Sequence, residues 1–192
     1  MSSVFEEARV GMSIAKDEKL GGLMQGLIYP AFLGAGFVWT ASSFARQYQS
    51  AGSFASLFTT IENYFAIWLL AYFCVPFMML TYVDLPKKYW SLPFAANLGD
   101  VLAIFFAFLS LGFVFQKPVD MSLVYWSIAA IPIFAGIGNF SVNRPPKWPQ
   151  SIAALLITIP MALWGHSFDF LNVVAIILLY VVLFFYFRVA AA

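Results

Sequence analysis

The residue with the strongest chemical claim is Asp100, in the run SLPFAANLGDVLAIFFAFLS. It stands ten residues beyond Trp90, about 15 Å along a helix. If Trp90 marks an interface, that depth is near the middle of a hydrocarbon layer about 30 Å thick. A carboxylate there costs at least roughly 2.5 kcal/mol, so it must face a bundle interior or a wet cavity. No lysine, arginine or histidine is expected at the same depth on another apolar run. The carboxyl can therefore be neutral, hydrated in a cavity, or paired with a bound cation. Asn97 precedes it by one helical turn on the same face. Counting inward along the other runs brings Tyr29, Tyr72, Cys74, Thr158 and Tyr180 to comparable depth. Asp100, Asn97, Tyr72, Thr158 and Tyr180 together form the candidate path for a small solute or cation. The structural alternative is a neutral Asp100 that hydrogen-bonds between helices.

Most other chemistry is excluded. A single cysteine, Cys74, and a single histidine, His166, rule out an intramolecular disulfide framework and a histidine-rich metal centre within this chain. There is no H-E-x-x-H, GHSFD lacks the second glycine of a nucleophile elbow, and no phosphate-binding glycine pattern occurs. The ten basic residues are dispersed, which disfavours nucleic acid as a partner. No catalytic residue, metal or cofactor is expected.

The elements that must position Asp100 follow from composition. Of 192 residues, 62% are hydrophobic and only 10% charged, whereas a soluble domain carries about a quarter charged residues. One small core cannot hide that much apolar side chain. The expected class is an all-α polytopic membrane protein with six transmembrane helices, at roughly 23–45, 63–83, 93–115, 121–140, 149–165 and 168–188. Together they form a bundle over residues 22–189. Residues 50–61, SAGSFASLFTTI, are left over; they extend the second helix, lie at the interface or re-enter the layer. Residues 1–21 read as an amphipathic surface helix rather than a secretory signal. Val4, Ala8, Met12 and Ala15 share one face, and Glu6 and Glu7 lie at the positive end of the helix dipole.

Charge sets the direction. With cytoplasmic termini, the inner segments hold Arg9, Lys16, Lys19, Lys87, Lys88, Arg144, Lys147 and Arg188, and the outer ones only Arg46 and Lys117. The expected location is a bacterial-type inner membrane. LPKKYW (85–90) and RPPKWP (144–149) then read as anchors. Lys87, Lys88 and Lys147 reach the headgroups, while Trp90 and Trp148 sit at the interface. Their similarity suggests a weak internal repeat of helical hairpins. The outer rim carries Glu62, His166, Asp120 and Asp169. Pro30, Pro76, Pro132 and Pro160 fall inside spans and predict bent helices. Ala31 and Ala35, beside Gly34 and Gly36, have the spacing of a close helix contact.

Length, span number and cytoplasmic termini resemble the substrate-binding subunits of energy-coupling-factor vitamin transporters. AFLGA (31–35) resembles the Ala-xxx-Ala contact of their first helix. The resemblance is architectural, and no ligand signature accompanies it. The sequence predicts a protein that moves or gates a small solute or cation through its bundle. The second expectation is a non-catalytic subunit of a larger membrane complex, with the bilayer and a homo-oligomeric or heterologous membrane partner.

Overall fold

The computed structural model describes residue 23 and residues 27–82, 94–140 and 148–190. Within those, the side chains at 29, 75–82, 94–97, 100, 137–140, 148, 187, 189 and 190 are outside the description. The expectations for residues 1–21, Lys87, Lys88, Trp90 and Lys147 therefore fall outside the described residues, as does the Trp148 side chain.

Six α-helices and no strand occur among the described residues: α1 (Tyr29–Ala51), α2 (Ile61–Tyr82), α3 (Phe94–Phe115), α4 (Met121–Phe140), α5 (Trp148–Leu163) and α6 (Asp169–Ala190). The end joined by residues 52–60, 116–120 and 164–168 is here the short-loop end. The opposite end, where Tyr82 closes α2 and Trp148 opens α5, is here called the basic end, after the lysines and arginine in the sequence between those helices and their neighbours.

Local chemistry sets the helix limits. Pro30 starts α1, where its missing N–H is no loss. Gly52 ends α1 at φ 66°, a left-handed conformation natural to glycine, and its N–H donates to the Tyr48 carbonyl. Residues Phe54–Phe58 then form a 3-10 turn capped by Ser53. Of the leftover segment, Ser50 and Ala51 end α1, Ile61 begins α2, and residues 52–60 form a separate connection in which Leu57 is buried while Phe54 and Phe58 are exposed. Asp120 caps α4, its Oδ1 accepting from the N–H groups of Ser122 and Leu123 at 3.0 and 3.2 Å. Asp169 opens α6 and Arg188 falls in its last turn, both complementing the helix dipole.

Helices α2 to α6 pack in sequence, and α6 returns to α2, closing a ring of five. α1 lies outside the ring against α2 and α3. The closest pair is α3 and α4, because the buried α3 face is small: Ala103, Ala107 and Ser110 opposite Ser127. α2 touches α1, α3 and α6, so its buried residues Phe65, Ala66, Trp68, Leu69, Leu70 and Phe73 cover about 200° of its circumference. α1 is held by rings: Phe32 meets Phe108 edge-on at 5.4 Å, and Trp39 lies 5.5 Å from Phe108. Gly112 makes room for Trp39, since a Cβ there would lie 3.2 Å from the indole. Gly36 similarly approaches Leu70 and Leu111, whereas Ala31, Gly34 and Ala35 are exposed.

The outer surface of the bundle is apolar. Leu156, Trp164 and Phe170 are 70%, 71% and 74% exposed. Among the described residues one helical segment, Asp169–Tyr186, is both long and apolar enough to cross a membrane. Four shorter stretches, Ile61–Cys74, Val101–Phe115, Met121–Gly136 and Pro149–Leu163, are apolar over 10–17 residues.

Candidate functional site

The interior of the ring has two halves. Toward the short-loop end it is filled. Tyr125 of α4 is fully buried, packs edge-on against Phe65 of α2 at 5.4 Å, and donates its hydroxyl to Asn172 Oδ1 at 2.9 Å. Asn172 Nδ2 donates in turn to the His166 carbonyl at 3.0 Å, and Ser122 donates to the Ala162 carbonyl at 2.9 Å. His166 Nδ1 lies 3.1 Å from the Met161 carbonyl, so the proton belongs on Nδ1. α2, α4, α6 and the α5–α6 connection are thereby tied through one buried layer.

Toward the basic end the ring opens into a cavity of about 50 Å³. Its wall comes from four of the five ring helices: Trp68 and Tyr72 on α2, Ile128 and Pro132 on α4, Gln150 and Ser151 on α5, and Leu183 and Tyr186 on α6, with apolar neighbours between them. Trp68 stacks on Tyr72 (6.1 Å between ring centres, 15° between planes), and Tyr72 meets Tyr186 at 6.4 Å. The Trp68 indole N–H is fixed by the Leu179 carbonyl at 2.9 Å. Two buried side-chain polar atoms among the described residues have no hydrogen-bond partner, Thr40 Oγ1 on α1 and Gln150 Oε1 at this cavity. Pro132, also on this wall, has no N–H to offer the Ile128 carbonyl one turn earlier.

The residues singled out by depth divide among several fates. Tyr72 lines the cavity. Thr158 is fully buried, but its hydroxyl donates to the Ala154 carbonyl of its own helix at 2.8 Å. Tyr180 donates to the Tyr64 carbonyl at 2.9 Å and so ties α6 to α2. The Asp100 backbone belongs to α3, in register with the buried stripe Ala103, Ile104, Ala107 and Leu111; its side chain and that of Asn97 are outside the description. At the short-loop end Glu62 lies in the first turn of α2, Asp169 is exposed at the start of α6, and Asp120 is a helix cap.

Sequence reasoning passed over Trp68, Gln150, Tyr186, Tyr125 and Asn172. Gln150 carried the best signal, as the polar residue following Pro149 at the head of the fifth apolar run. The aromatic residues carried none, because the chain has 22 phenylalanines, 9 tyrosines and 6 tryptophans that nothing local distinguishes. No protein-family model matches the chain, and no curated protein or solved structure is significantly similar to it.

Proposed function

We propose that the chain is a polytopic membrane protein whose helical ring moves or gates a small solute or cation. The observation that carries this reading is the half-open interior, a cavity walled by four helices and closed at the other end by the Phe65–Tyr125–Asn172 layer. An interior open from one end and blocked at the other is one state of an alternating pathway. The membrane part of the reading draws on the apolar exterior: within Asp169–Tyr186 only 28% of the segment is buried, so most of its apolar surface has no protein cover. A helix of 22 residues, the length of α2, α3 and α6, reaches about 33 Å and matches a bilayer core.

Asp100 is the ionisable residue of the proposed path, on the helix packed between α2 and α4. The purified chain reconstituted into liposomes should pass a small cation or polar solute, and Asp100→Asn should abolish flux while the protein still elutes as a folded species. Wild-type flux no greater than in empty liposomes, across a panel of such solutes, would refute the reading.

A second reading, an accessory subunit of a membrane complex, is favoured by α1. It lies outside the ring and leaves Ala31, Gly34, Ala35, Phe37 and Val38 exposed along one helix. Native mass measurement after gentle extraction decides for it if a stoichiometric partner co-purifies and is lost on Ala35→Leu.

A further inference from the structure

A second concavity is an open-sided groove in the seam between α5 and α6, reaching the short-loop end. On α5 it runs from Leu156 to Trp164, and on α6 from Leu171 to Leu178. Met161, Gly165 and Ala175 are its buried floor, while Leu156, Trp164 and Leu178 are exposed along its rim. Eight helical steps make it about 12 Å long, so a volume of about 410 Å³ gives a mean cross-section of roughly 34 Å². A partner helix, about 10–12 Å across, has a section of roughly 80 Å² or more and does not fit. One extended alkyl chain does fit, because carbon contact distances make it about 4–5 Å wide, or roughly 20 Å² in section. The footprint agrees. A strip of that length between helix axes about 10 Å apart covers about 120 Å², whereas a stable protein contact takes about 800 Å² from each partner.

The chemistry of the lining matches. Among the described residues it is apolar throughout, with the Trp164 indole N–H as its one side-chain donor. His166 and Ser167, between the groove residues Gly165 and Phe168, place polar groups beside the short-loop end. An amphiphile therefore fits with its tail along the helices and its head at the connection. Residues 164–169 include His166 and Asp169 but no lysine or arginine, so an anionic head gains nothing from them. Bulk lipid is as apolar as the groove, and the preference comes from contact. A gap left unfilled forfeits dispersion along its lining, and a flexible chain fills what a rigid helix cannot.

We propose that the α5–α6 groove holds one acyl chain of a bilayer phospholipid, in the leaflet at the short-loop end, with little selection among headgroups. The assignment rests on the membrane reading above and not on whether the ring passes a solute.

The test uses the full chain, extracted in mild detergent, stripped of lipid and titrated with phosphatidylcholine or phosphatidylglycerol under native mass measurement. One phospholipid per chain should bind saturably, with similar affinity for the two headgroups. Val174→Phe, which fills the groove from a half-buried position, should weaken binding about tenfold. The exposed rim pair Leu171→Ser and Leu178→Ser should do the same, and decides the matter where Val174→Phe does not fold. Ile177→Phe, exposed on α6 outside the groove, should bind like the wild type. No saturable binding, unchanged binding in the filled and rim variants, or a detergent molecule retained against added lipid would overturn the site. A second protein chain in the lipid's place, lost on Val174→Phe, would overturn it in favour of a docking surface. Vesicle flotation separates the site from the membrane reading. A chain that stays with carbonate-washed vesicles yet binds no lipid keeps that reading and loses the site, and a chain that washes off as a soluble species loses both.

Discussion

The two halves of the ring interior use similar residues to opposite ends. In the short-loop half a tyrosine and an asparagine satisfy each other: Tyr125 donates to Asn172, and Asn172 donates to the His166 carbonyl. In the basic half tyrosines and a glutamine surround a void, and the Gln150 oxygen has no partner. The first arrangement stabilises the fold, since each buried polar atom regains the hydrogen bond it gave up. The second costs stability, because a buried polar atom without a partner does not recover its lost hydration. What separates the two halves is the empty space and the one unpartnered oxygen of Gln150, since residue composition hardly distinguishes them.

The comparison is broken most directly at Asn172. Replacing it with leucine strands the buried Tyr125 hydroxyl and the His166 carbonyl together, and should destabilise the protein by about 3 kcal/mol in denaturant or thermal unfolding. Tyr125→Phe keeps the ring against Phe65 and deletes only the hydroxyl, so about 1 kcal/mol is expected in the same assay. Trp68→Phe removes the indole donor from the Leu179 carbonyl, which keeps its place in the α6 ladder, and trims a buried ring, so a loss of about 1 kcal/mol should follow. Gln150→Leu sharpens the contrast by its sign. Removing an unpartnered buried oxygen should leave stability unchanged or raise it by a few tenths of a kcal/mol. A loss of more than about 1 kcal/mol there would mean that Gln150 belongs to the scaffold.

Small residues give a second contrast. Ala31 and Ala35 have the spacing of a close helix contact, yet both are exposed on α1. The close contact is instead made by Ala103, Ala107 and Ser110 of α3 against α4. The two patterns look alike in sequence, because spacing defines a face and says nothing about which neighbour covers it. Asp120 makes the same point for charge. It counts as rim acidity in the sequence and proves to be the cap of α4. Depth counting found Tyr72, which lines the cavity, but could not separate it from Thr158 and Tyr180, which do not. Depth is a one-dimensional quantity, whereas a cavity also depends on rotation about each helix axis.

The sequence by itself led to an all-helical reading, because its apolar runs are longer than ordinary strands and are broken by proline, glycine and charge, and the six helices among the described residues agree with it. It also isolated Asp100 as the ionisable residue hardest to place. Only the tertiary structure decided that five helices close a ring with the first outside it. That closure set Gln150, Ile128, Trp68 and Tyr186, drawn from four helices, around one void, although Trp68 and Tyr186 stand 118 positions apart. Such a site depends on which helix faces meet, and that is settled by the summed packing of all six helices, which no local stretch of sequence encodes.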